Sequence, residues 1–204
     1  MQILYNDQRK IGSAMPVLKR IKGMLLHPQA EWEAVAHEAP GTAILLRNFL
    51  LPLCALAAVA TLIGMLAFDT KWNTEYGYSA LRERALSIAV ATYAFEIASV
   101  YLLATVLYFL ARTEGRRPSF LVSLQVAVFG AIPVLLSGVA LVIPFGVIVT
   151  VMAMIYSFYL YYLGAERLIG IRPADSAMFI GVALFCMMVL SGVMGAVASA
   201  LGLI

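Results

Sequence analysis

The chain has 204 residues, of which 63% are hydrophobic and 12% charged, with a formal net charge of +3 and a mean hydropathy of +0.93. A water-soluble domain carries about 25% charged residues, so a soluble globular fold is excluded. The longest polar stretch is the N-terminal segment 1–46, which leaves no room for a separate soluble domain or for nucleic-acid binding by a basic one.

The first sixteen residues are polar and irregular and lack the charged, apolar and small-residue succession of a cleaved signal peptide, so the first span is expected to stay as an anchor. From Val17 to Leu26 the apolar residues Val17, Leu18, Ile21, Met24 and Leu25 recur at helical spacing, with Lys19, Arg20 and Lys22 on the other side. This predicts a short basic amphipathic helix. It either lies in the interface with its basic residues on anionic lipid head groups or docks against the end of the bundle. Pro28 then opens a second helix, in which Trp32 suits an interfacial anchor. His27 with Glu31 and Glu33 with His37 are each four apart, a metal-ligand spacing when one helical face is shared. Pro28 interrupts the first pair and no third ligand follows, so neither a metal nor another cofactor is expected.

Five apolar stretches follow, at about 47–68, 85–111, 120–138, 145–165 and 178–204. Each approaches the roughly 20 residues that cross about 30 Å of hydrocarbon. The expected architecture is an all-α integral membrane protein, a bundle of five transmembrane helices in one domain, 47–204, preceded by short amphipathic cytoplasmic helices in 1–46. Residues 120–165 carry no charge, and they are read as a hairpin turning near 138–144, with Pro133 kinking its first arm. Cys54 and Cys186 fall inside spans and read as small buried hydrophobes, with a contact between spans one and five open but no disulfide expected.

Basic residues are asymmetric. Lys19, Arg20, Lys22 and Arg47, then Arg112, Arg116 and Arg117, then Arg167 and Arg172 flank one side, against Lys71, Arg82 and Arg84 on the other. The positive-inside rule makes the richer side cytoplasmic, with the N-terminus inside and the C-terminus outside.

Among eleven acidic residues only Glu96 sits within an apolar span. A carboxyl group at that depth is costly unless protonated, paired or wet, so it is expected to face the bundle interior as a neutral acid. Thr92 and Ser99 share its helical face. Counting about 1.5 Å per residue from the span ends places Glu96, Thr61, Thr150 and Ser191 together at roughly 20 to 22 Å, and Gln125 near 9 Å. Glu96 is then either a proton or cation site in a transport path or a hydrogen bonder that fixes helix register.

In the fifth span, Ser191, Gly195 and Ser199, and Gly192 with Ala196, are spaced one turn apart as a helix-packing face, serving the monomer or a homo-oligomer. Tyr156, Tyr159, Tyr161 and Tyr162 suit an aromatic belt. Arg116 and Arg117, with Arg112, Glu114, Glu166 and Arg167, make a charged collar for head groups, for a protein partner or simply for topology. No phosphate-binding glycine loop, zinc-protease motif or serine elbow occurs.

Pro28 followed by Trp32, a Pro52-bearing first span ending near Gly64, and the exit Tyr161-Tyr162-Leu163-Gly164-Ala165-Glu166-Arg167-Leu168-Ile169-Gly170-Ile171 together resemble the Yip-domain family, the Ypt/Rab-interacting membrane proteins and their bacterial relatives. The resemblance covers nearly the whole chain, from about Leu18. It implies five spans, a cytoplasmic N-terminus and a non-enzymatic protein that works as an adaptor in membrane traffic or homeostasis. Eukaryotic members, in the ER and Golgi, carry a longer cytosolic N-terminal region, which argues against GTPase binding here and for a bacterial inner-membrane type. The competing expectation is a small proton- or cation-coupled transporter or channel built on Glu96. A lipid-handling protein, suggested only by the apolar hairpin, is a third.

Overall fold

The computed structural model describes residues 17–38, 40–67, 85–142 and 146–200, apart from the side chains of 65, 67, 141, 142 and 194–200. Among these residues every regular element is helical. Helix α1 is Val17–Leu26 and α2 is Pro28–Glu38. The first span, α3, joins Thr42–Leu45, a π-turn at Leu46–Leu50 and Leu51–Ala67. The wide turn follows from Pro52, which offers no N–H to the Asn48 carbonyl and crowds it, so the helix loosens just upstream.

Span two is α4, Ala85–Thr113. Span three breaks into α5, Phe120–Gly130, and α6, Ile132–Ser137, continued by a 3-10 segment Gly138–Val142. Where a kink is expected from Pro133, the helix instead restarts, because the proline occupies the first turn of a new segment, where its missing N–H costs nothing. Ser119 caps the start of α5 by accepting from the Val122 amide. Span four is α7, Gly146–Gly164, extended by a π-turn Ala165–Ile169 and stopped by Gly170 at φ 78°, with the Ile171 amide bonded back to the Ala165 carbonyl at 3.1 Å. Span five, α8, is Pro173–Ala200 and starts earlier than the apolar run at 178. Of the turn expected near 138–144, residues 138–142 form the 3-10 segment, and 143–145 lie outside the described residues.

Five helices are long and apolar enough to cross a membrane, and span three is the most enclosed, with 72% of its apolar window buried. It packs against spans one, two and four, while span five packs on two and four. Close approach is written in small residues: a Cβ on Gly138 would lie 2.8 Å from that of Ala57 in span one.

The N-terminal helices form a hairpin that docks into the bundle. Arg20, 3% exposed, bonds Glu31 at 3.0 Å and also Glu38. Trp32 is fully buried, edge-on to Phe129 with ring centroids 6.2 Å apart, and Phe129 meets Phe49 at 5.1 Å. Gly164 makes room for the indole, since a Cβ there would sit 2.9 Å from Cη2. The Tyr156 hydroxyl donates to the Leu25 carbonyl at 2.9 Å, one of the last α1 carbonyls, which have no partner within the helix. Tyr156 lies about 12 Å along α7 from Gly164 at 1.5 Å per residue, so the hairpin leans along spans three and four rather than resting on their ends.

Candidate functional site

Two regions gather the chemistry. The first is a cavity of about 340 Å³ between α4, α6, α7 and α8, lined by Glu96, Ser99, Ser157 and Tyr161 among apolar side chains such as Phe95, Leu135 and Met154. Glu96 and Ser99 share a face of α4, and Ser157 and Tyr161, four apart on α7, share another. The Tyr161 ring fits because Gly130 opposite has no side chain; a Cβ there would run into the ring. Cys54 of α3 lies beside the Glu96 carboxyl, close enough to interact with it electrostatically. Among the described residues, Glu96 Oε2 and the Ser157 hydroxyl are buried without a hydrogen-bond partner.

Of the polar residues expected around Glu96 by helical face or by depth, only Ser99 joins it in lining the cavity. Thr61 bonds the Ala57 carbonyl at 3.0 Å and Thr150 the Gly146 carbonyl at 3.4 Å, each satisfied within its own helix. Thr92 and Ser191 are half-buried and do not line the cavity. Depth along a helix is countable from sequence, but the direction a side chain points around it is set by packing. Cys54, Ser157 and Tyr161 are the neighbours of Glu96 that depth counting does not find; the four-residue spacing of Ser157 and Tyr161 is the available signal.

The second region is basic. Arg112 in the last turn of α4 is exposed, as are Arg116 and Arg117 on the turn that follows, where Gly115 adopts φ 72°. The turn abuts the start of α8, so that Glu114, Gly115, Arg116, Ile171, Arg172 and Asp175 line one cleft of about 250 Å³. Arg172 pairs with Asp175 at 2.8 Å and Arg112 lies over the Tyr108 ring at 4.2 Å. Among the described residues, neither Arg116 nor Arg117 has an ion-pair partner.

Other expectations resolve differently. Lys19 and Lys22 are exposed, but Arg20 is buried in its carboxylate pair and Trp32 in the aromatic cluster, so neither reaches head groups: docking the hairpin takes both from the membrane surface. Glu31 is held by Arg20 and Glu33 by Arg167 at 3.2 Å; no metal-ligating cluster occurs among the described residues. On α8, Gly192 meets nothing within 4 Å among the described residues, so at that position the small-residue face does not pack against them. The side chains at Gly195, Ala196 and Ser199 lie outside the described residues.

The family description of the Yip1 domain matches residues 22–196, a range that takes in the docked hairpin, the cavity and the basic turn. The chain belongs to the Yip1 domain family. Inner membrane protein YohC of Escherichia coli strain K12 is 24% identical to it over 169 residues, covering 79% of this chain and 85% of that protein. YohC of E. coli O6:H1 strain CFT073 matches to the same extent. No solved structure matches. In this Yip1 domain, the Pro28 to Trp32 spacing places the indole under Gly164, and the Gly164 to Gly170 exit supplies both the space for that ring and the turn that stops span four.

Proposed function

We propose that this Yip1 domain is a non-catalytic organiser of a bacterial-type inner membrane, with its N-terminus cytoplasmic and its C-terminus outside, working through the basic face where the turn after α4 meets the start of α8. The observation that carries this reading is the pair of exposed, unpaired arginines, Arg116 and Arg117, on a turn fixed by Gly115 and braced against α8. Guanidinium groups held this way suit anionic head groups or an acidic protein surface. The YohC relatives are inner membrane proteins by name, which supports the location.

The transport reading draws on Glu96. Against it, Thr61 and Thr150 are bonded to their own helices, and among the described residues the polar side chains lining the cavity belong to α4 and α7, where a coupled transporter calls for polar groups along a path.

The test is photocrosslinking in membranes from a residue placed at Glu114, with Val151 on the apolar outer surface as control. Discrete protein or anionic-lipid adducts at 114, reduced roughly tenfold or more by Arg116→Ala with Arg117→Ala, are expected, since each basic residue near an anionic surface contributes about fivefold. Adducts unchanged by the double substitution, or absent, would contradict the reading.

A further inference from the structure

The Glu96 cavity has a combination the bundle does not need for packing. Its walls are almost wholly apolar, and it holds two buried polar atoms with no partner, Glu96 Oε2 and Ser157 Oγ. Ser157 is only 2% exposed, so water at the surface does not satisfy it. Buried polar groups are bonded in the great majority of proteins, and an orphaned pair on side chains that line a shared space points to a missing occupant.

The way in is from the side. Phe95, Met154 and Phe158 border the cavity and are respectively 49, 58 and 37% exposed on the outer surface of the spans. On a membrane-crossing bundle such apolar side chains meet acyl chains, so an occupant arrives from the bilayer. Its volume of about 340 Å³ is at the lower end of ordinary ligand pockets, about 300–1,000 Å³. That suits a ring or a stretch of chain rather than a whole phospholipid.

Charge selects the head group. Among the described residues no cationic side chain lines the cavity, which disfavours a carboxylate or phosphate. A carboxyl oxygen beside a hydroxyl favours a donor. We propose that the cavity binds an apolar molecule carrying one hydrogen-bond-donating head group, a hydroxyl or an amine, which donates to Glu96 and exchanges a bond with Ser157 while its apolar body lies against Leu135 and Met154.

The experiment uses the full chain in lipid nanodiscs, labelled with a diazirine derivative of dodecanol and competed with dodecanol, dodecylamine, dodecanoate or dodecane. Labelling on the α4 and α7 peptides that line the cavity is expected. Dodecanol or dodecylamine should compete roughly tenfold better than dodecane, the factor one net hydrogen bond supplies, and the stronger of the two identifies the head group. Dodecanoate should compete no better than dodecane. Glu96→Leu and Ser157→Ala should each reduce the advantage over dodecane, and together abolish it. Leu184→Trp, which fills the space and leaves both polar groups, should abolish labelling while thermal unfolding confirms the fold. Labelling spread evenly over the outer surface, a preference for dodecanoate, or a head-group preference that survives both polar substitutions would overturn the proposal.

Discussion

Arg20 of α1 and Glu31 of α2 form an ion pair at 3.0 Å in which the arginine side chain is 4% exposed, and Glu38 closes on the same guanidinium. The pair joins the two helices of the docked hairpin. Removing one member leaves charge with little access to water. Arg20→Ala is expected to destabilise the protein by about 3 kcal/mol, whereas Arg20→Met combined with Glu31→Gln and Glu38→Gln should stay within about 1 kcal/mol of wild type. Denaturant unfolding of the purified protein in mild detergent measures both. Equal losses would mean that the pair is not what makes the single substitution costly.

The Tyr156 hydroxyl donates to the Leu25 carbonyl and so closes the C-terminal end of α1. Tyr156→Phe should cost about 1 kcal/mol, the usual net worth of such a bond. Because the loss is local, hydrogen exchange should quicken in α1 and leave α5 unchanged.

Trp32 sits where Gly164 leaves room for its ring. In a Trp72→Phe background, which makes Trp32 the sole fluorophore of the two tryptophans, Gly164→Val should displace the indole at a cost of about 2 kcal/mol. Its emission should shift to the red as the ring leaves the core. Unchanged emission would mean that the indole does not rest on Gly164.

These cases also mark how far sequence reading reaches here. Span existence is a matter of composition, so five helices, their all-α character and the family were legible from apolar length and from the Pro28, Trp32 and Tyr161 to Ile171 pattern. Azimuth is not legible in the same way, because spans four and five are apolar nearly all round and show no strong polar face from which to orient them. Thr61 and Thr150 therefore looked like neighbours of Glu96 by depth, while Cys54 and Ser157, less conspicuous, hold those places. Arg20 and Trp32 looked interfacial because a basic or amphipathic residue on a short helix does suit head groups. What reversed this was a long-range event, the folding of α2 back onto α1 to bring Glu31 and Glu38 to the guanidinium.

Glu96 retains a buried, unpartnered oxygen. If its role is not to hold the bundle together, replacing it with an apolar side chain removes a desolvated polar group. Glu96→Leu should then raise thermal stability, by about 1 kcal/mol, in the absence of added ligand. A loss of stability would assign Glu96 to structure, through its contact with Cys54.

The most direct check on a non-transporting organiser is ion flux. Proton and cation movement is measured in proteoliposomes containing wild type or Glu96→Gln, with empty liposomes as control. Equal, negligible flux in all three is the expected result. Flux above the control that disappears in Glu96→Gln would contradict the account and make Glu96 a conduction or coupling residue.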